Sequence, residues 1–333
     1  MSDKTDNPFH QWIRLEQPRL GTSVVFATDD FFADKSRLID PAAPIFIDDK
    51  FDDNGKWMDG WESRRKRVKG HDYCVIRLGV PGVIQGLDID TSHFTGNYPP
   101  EASVEACVSD KELPDDSDDW QEIQSKTSLQ GDSHHFLPVS NDSAFTHVRL
   151  HIYPDGGVAR LRVYGEVTPD WSNIATNSSL DLFALENGGR SIRCNDEHFG
   201  SMHNLNLPGR GINMGDGWET ARRREPGNDW VILALGHPGV IELVEVDTAH
   251  FKGNYPDRVS LQAAMLEKSV SKNIDKESQD WPELLPQQKL KMDTQHLFEN
   301  ELNDLGVVSH IRLSIFPDGG VSRLRLFGKS SGQ

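Results

Sequence analysis

The clearest segments of the chain alternate apolar and polar positions. In residues 147–165, HVRLHIYPDGGVARLRVYG, Val148, Leu150 and Ile152 point one way while His147, Arg149 and His151 point the other. That period of two marks a half-buried strand. After the PDGG run at 154–157 the pattern resumes, with Leu161 and Val163 on the apolar side and Arg160 and Arg162 opposite. Two alternating runs around PDGG predict a hairpin, because Gly and Asp tolerate the positive φ such a turn needs. Segments 73–78, 83–90 and 103–108 read as further strands, punctuated by Pro and Gly at intervals suited to a sandwich. The stretch around 110–123 is acidic and broken by proline, so it is expected to be a loop with a turn of helix.

The pattern occurs twice. DGWE stands at 59–62 and 216–219, and DTSHFTGNYP at 90–99 matches DTAHFKGNYP at 247–256; both offsets are 157 (216 − 59, 247 − 90). Between them, DYCVIRLGVPGVI pairs with DWVILALGHPGVI in the same register. Trp120 and His135 match Trp281 and His296 at an offset of 161, and the terminal segments 147–165 and 310–328 match at 163. The offset grows only in polar stretches, where insertions fall in surface loops. Upstream, TDDFFA at 28–33 aligns with NDEHFG at 195–200. Two homologous units at 20–168 and 187–329 follow, joined by residues 168–189, whose composition suits a packed connection better than a flexible linker. The predicted fold is all-β: two tandem jelly-roll β-sandwich domains related by internal duplication.

Composition narrows the partners. A length of 333 residues agrees with two domains. The net charge of −17 opposes nucleic acid and anionic membrane as partners while leaving a small anionic substrate open. Cys74, Cys107 and Cys194 show no CxxC spacing, which fits a reducing compartment. The N-terminus lacks a signal-like apolar stretch, and no run approaches the roughly 20 apolar residues of a membrane span. A cytoplasmic location is expected.

Three groups of residues are candidates for chemistry. Glu62 and Glu219 in DGWE stand three residues before Arg65 and Arg222, so an acid/base group and an anion clamp lie close together. The competing explanation is a glycine turn, a wedged tryptophan and a structural ion pair. In the doubled DTxHFxGNYP motif, Asp90, His93 and Asn97, with Asp247, His250 and Asn254, offer a histidine near a carboxylate; a strand-end turn satisfying backbone groups would look the same. Third, Arg149, Arg160 and Arg162, with Arg312, Arg323 and Arg325, would share a face in the predicted hairpin and could receive a substrate carboxylate, or be solvated surface residues. HExxH, HxH and CxxC are absent, so ligand spacing does not indicate a divalent metal, and no cofactor is expected. GxSxG, P-loop and GxGxxG patterns are absent too, leaving serine hydrolysis and nucleotide binding unsupported.

With these motifs together, the chain resembles the allantoicase (allantoate amidinohydrolase) family over nearly its whole length. The match rests on the doubled DGWE and its arginines, LGxPGxI, DTxHFxGNYP and the PDGG segment with RLR. The resemblance implies two jelly-roll domains akin to galactose-binding modules, and hydrolysis of allantoate to ureidoglycolate and urea in purine (allantoin) catabolism by a homo-oligomer. For that reaction, residue chemistry would assign the proton relay to Asp90/His93 or Asp247/His250 and a second carboxyl to Glu62 or Glu219. Arg65, Arg222, the arginines flanking PDGG (Arg149, Arg160, Arg312 and Arg323 among them), Asn97 and Asn254 would hold substrate. The copies differ: Arg77, Val80, His151 and Phe31 correspond to Ala234, His237, Ser314 and His198, which favours the second unit or a site composed of both. A non-enzymatic tandem carbohydrate-binding module is the alternative on this type of fold.

Overall fold

The computed structural model describes residues 7–171, 179–266 and 271–331. The chain divides into two compact units, Met1–Thr168 and Pro169–Gln333. Residues 172–178 of the join lie outside the described residues.

In the first unit β1 (Ile13–Arg14), β2 (Ser23–Ala27), β3 (Phe51–Asp52), β4 (Gly55–Lys56) and β5 (Trp61–Glu62) are short. They precede β6 (Asp72–Asp90), β7 (Glu101–Cys107), β8 (Gln121–Ser128) and β9 (His134–Pro138). β10 (Ala144–Tyr153), β11 (Gly157–Val158) and β12 (Arg160–Val167) complete it. The second unit holds β13 (Leu180–Asp181), β14 (Arg190–Cys194), β15 (Trp218–Glu219), β16 (Asp229–Asp247) and β17 (Arg258–Ala264). A helical turn α1 (Ile274–Glu277) is followed by β18 (Glu283–Lys289), β19 (Gln295–Phe298), β20 (Val308–Phe316), β21 (Gly320–Val321) and β22 (Arg323–Ser330).

The main sheet of each unit has the strand connectivity of the other, while the β3–β4 ladder belongs to the first unit. The order β1-β12-β6-β10-β7-β8, with β2 and β9 also on β6, recurs as β13-β22-β16-β20-β17-β18 with β14 and β19 on β16. The fold is two tandem jelly-roll β-sandwich repeats.

Two expectations are corrected. The segments 73–78 and 83–90 form one strand of 19 residues. Its first part pairs with β10 and β2; β12 joins from Gly82 and β9 from Gly86, while β10 continues past an irregularity to Gly82 and Val83. Pro81 falls in the irregularity of the β10 ladder, between the paired residues Arg77 and Gly82, where a missing N–H leaves no strand bond unmade. The segments flanking PDGG are likewise no hairpin: β10 and β12 each pair with β6, Arg149 opposite Val75 and Arg160 opposite Asp90. Arg149 therefore does not share a local face with Arg160 and Arg162, nor Arg312 with Arg323 and Arg325.

Val148, Leu150, Ile152, Leu161 and Val163 are fully buried, as their alternation predicts. Each such side chain contributes about 1.5–3 kcal/mol on burial. The polar side is covered as well: His147, Arg149, His151, Arg160 and Arg162 are all buried. The acidic stretch is a loop that gives way to β8 at Gln121, three residues earlier than expected, and its counterpart in the second unit carries α1. Among the described residues no helix is long and apolar enough to cross a membrane.

Candidate active site

Three duplicated motifs meet at one place in each unit. Within DGWE, Trp61 is fully buried and donates its ring N–H to the Asp29 carbonyl at 2.8 Å, while Trp218 does the same to Asp196. Asp59 and Asp216 are structural: each accepts from a buried arginine of the RLR run, Arg160 or Arg323, at 2.9 Å. Each also accepts a loop backbone N–H, from Ile45 or Ile212. That leaves Glu62 and Glu219 at the strand's open end, beside the PDGG turn, because β5 pairs with β11 and β15 with β21.

The turn is fastened to the GNYP loop. Gly157 donates to the Asn97 carbonyl at 2.7 Å and Gly320 to that of Asn254 at 2.8 Å. Close packing explains the second glycine of PDGG. A Cβ on Gly157 would sit 2.0 Å from the buried Phe94 ring, and one on Gly320 equally close to Phe251. The turn also holds the arginine segment: Asp155 accepts the Lys66 N–H at 2.7 Å and Asp318 the Arg223 N–H at 2.8 Å.

The result is a pair of equivalent cavities. In the first unit Glu62, Arg65, Asn97, Tyr98, Phe32 and Asp155 line a space of about 540 Å³. In the second, Glu219, Arg222, Asn254, Tyr255, Phe199 and Asp318 line about 360 Å³. Asn97 donates its amide N–H to Glu62 Oε1 at 2.8 Å, and Asn254 donates likewise to Glu219. Partial burial pushes the Glu62 carboxyl pKa up, with the Asn97 bond pulling the other way. Arg65 and Arg222 are exposed and have no ion-pair partner among the described residues. A carboxyl biased toward its neutral form, held by an amide beside an unpaired guanidinium, can donate a proton to a substrate whose carboxylate the arginine binds.

The remaining predicted site residues lie elsewhere. Asp90 and Asp247 are buried and cap their own turns, accepting the N–H of Ser92 and Ala249 at 2.8 Å; Asp247 also pairs with Arg210. His93 and His250 hold left-handed backbone, φ 68° and 70°. Their Nε2 atoms bond loop carbonyls, Pro44 at 3.3 Å and Gly211 at 2.8 Å, not the neighbouring aspartates. Neither histidine lines a Glu–Asn–Arg cavity. The arginines away from the cavities are also engaged. Arg149 bonds Glu105 and Asp116, Arg312 bonds the Asp275 carbonyl and Ser278, and Arg162 and Arg325 bond loop carbonyls. Among the described residues no group of three or more His, Cys, Asp or Glu is placed to hold a metal ion.

The allantoicase repeat family model matches twice, at residues 13–168 and 180–331. The chain belongs to the allantoicase family. A probable allantoicase from Photobacterium profundum is 60% identical over 323 residues, 97% of this chain and 98% of that one. A probable allantoicase from Pseudomonas fluorescens is 59% identical over 322 residues, 97% of each. The crystal structure of allantoicase from Saccharomyces cerevisiae is similar with a TM-score of 0.79 and 37% identity, covering 95% of this chain and 92% of that one.

Within this allantoicase repeat, the cavity positions that escaped sequence reasoning include Phe32/Phe199, Tyr98/Tyr255 and Asp155/Asp318. The signal was present, since each pair sits inside a motif kept in both copies. Their neighbours drew attention because His, Glu and Arg carry more obvious chemistry.

Proposed function

We propose that the protein hydrolyses allantoate to ureidoglycolate and urea, using the Glu–Asn–Arg cavity of one or both repeats. The observation that carries this is the half-buried Glu62, held by Asn97 in one cavity with the unpaired Arg65 and repeated as Glu219, Asn254 and Arg222. Allantoate carries a carboxylate and two ureido groups on one carbon. Arg65 or Arg222 suits the carboxylate bidentately. The Glu62 carboxyl, when protonated, donates its proton to the ureido nitrogen that departs as the carbon–nitrogen bond breaks. Water supplies the oxygen that replaces it, giving urea and the carbinol product. Phe32 and Tyr98 wall the cavity, and planar ureido groups pack well against such rings.

The family membership supports this reading over the carbohydrate-binding module, as does a cavity furnished for proton transfer. The proposal includes no resident cofactor, and unchanged kcat after chelation tests that part. It also includes a cytoplasmic homo-oligomer, an expectation resting on composition and family resemblance that sedimentation of the purified protein and cell fractionation test. The direct experiment is incubation of the pure protein with allantoate and quantitation of urea and ureidoglycolate. Stoichiometric release of both is expected; absence of turnover, with or without added divalent metal, refutes the reading.

A further inference from the structure

A second carboxylate stands at the same place in each cavity, and the reaction needs a base for the incoming water. Asp257, also on the second cavity's wall, is paired with Arg258 and Lys289. We propose that Asp155 and Asp318, the aspartates of the two PDGG turns, are the general bases that activate this water. The inference rests on the function proposed above. Both line the same cavities as Glu62 and Glu219. An aspartate in a turn commonly accepts a backbone N–H two residues on. Here the side chain instead reaches across the cavity wall, to Lys66 N–H at 2.7 Å and Arg223 N–H at 2.8 Å, 89 and 95 residues distant in sequence.

In both cases Oδ2 takes that bond, and Oδ1 makes no hydrogen bond among the described residues. One oxygen is thus anchored and the other is left to accept a proton. Backbone ties fix the turn on the other side as well, with Ser63 donating to the Gly156 carbonyl at 3.1 Å and Thr220 to that of Gly319 at 3.2 Å. Such preorganisation is what a positioned base requires.

The step balances. The Glu62 carboxyl gives its proton to the departing ureido nitrogen as the carbon–nitrogen bond breaks, with the lone pair of the remaining ureido nitrogen supporting the central carbon. Water oxygen bonds that carbon and Asp155 Oδ1 takes one water proton. Urea and ureidoglycolate result, and exchange with solvent returns Asp155 and Glu62 to their starting forms. Glu219 and Asp318 play the same parts in the second repeat.

The test is Asp155→Asn with Asp318→Asn, in the full chain, assayed by urea release. The amide oxygen still accepts the Lys66 or Arg223 N–H, so the fold is kept, and kcat is expected to fall about 10²- to 10⁴-fold with KM little changed. Added formate should restore part of kcat in Asp155→Ala/Asp318→Ala. Asp155→Ser/Asp318→Ser, whose hydroxyl also accepts an N–H, is the second variant should the amide pair fold poorly. Wild-type kcat in any folded pair overturns the inference, as does a raised KM with kcat intact, which would make these aspartates positioning residues for Arg65 and Arg222. A wild-type protein that releases no urea overturns the underlying function instead, so the two failures are distinct.

Discussion

Replacing His93 or His250 by alanine should lower stability slightly and leave catalysis in place. The histidine is the most eye-catching residue of the doubled motif, yet its side chain fastens a loop: Nε2 meets the Pro44 carbonyl at 3.3 Å in one repeat and Gly211 at 2.8 Å in the other. A hydrogen bond of this kind contributes about 0.5–1.5 kcal/mol net. For a domain of this size, 1 kcal/mol corresponds to roughly 2–4 °C in Tm. His250→Ala, which breaks the shorter bond, should therefore cost about 2–4 °C, and His93→Ala less. Backbone conformation gives a second handle. Both residues sit at positive φ, where a residue with a Cβ is disfavoured by about 1–2 kcal/mol. Glycine should accordingly recover much of what alanine loses, returning Tm toward the wild-type value. A calorimetric scan beside a urea-release assay reads both quantities. The expected kcat/KM stays within about threefold of wild type, whereas a general acid or base would cost about 10²–10⁴-fold. A loss of about 100-fold in the double alanine variant with an unchanged melting profile would refute this assignment and restore the histidines to the chemistry.

Other outcomes follow from the same geometry. Arg65→Ala with Arg222→Ala should raise KM for allantoate about 10- to 100-fold, the worth of a charge-assisted bond of about 1.5–3 kcal/mol. Tm should be unchanged, since neither arginine has an ion-pair partner among the described residues; a drop in Tm matching the activity loss contradicts it. Asp59→Ala strips the carboxylate from Arg160, which is 1% exposed, and should destabilise the first unit by about 3–5 kcal/mol in chemical denaturation. Glu62→Gln should melt higher than wild type at neutral pH. Burial raises the Glu62 pKa, so the stability attached to its neutral form is full below the ordinary glutamate pKa of about 4.3 and is lost as pH climbs through the raised value. Gln cannot ionise, so the gap in Tm should close as pH falls toward about 4; a gap that widens on acidification reverses the sign and sinks the argument.

The duplication and the strands were readable because they are local: repeated letters and a period of two need no partner to be seen. The continuity of β6 was not. LGVPGVI looks like a break between strands, and only the β10 ladder, which skips residues 78–81 and resumes at Gly82 as β12 joins, explains why one strand passes through Pro81. The same non-local pairing misled the reading of PDGG, whose flanking runs both lie against β6 while the turn itself closes on Glu62. The site was legible in part. Glu62, Arg65 and Asn97 were all candidates, drawn from two separate motifs, but nothing in their spacing showed that they share a cavity without His93. Asp59, Trp61 and Glu62 stand in one short motif yet divide between a buried ion pair, a core wedge and the cavity wall. Type and spacing alone could not separate them, because burial decides which carboxylate is matched by a buried arginine and which is left to face a ligand.

The central claim is that the two glutamates of DGWE carry the proton for carbon–nitrogen cleavage. Steady-state urea release by Glu62→Gln, Glu219→Gln and the double variant tests it most directly, because glutamine preserves the bond from Asn97 or Asn254 and removes only the transferable proton. The double variant should lose about 10²- to 10⁴-fold in kcat while remaining folded, and the two single variants should show how much turnover each repeat supplies. A folded double variant with wild-type kcat would contradict the account.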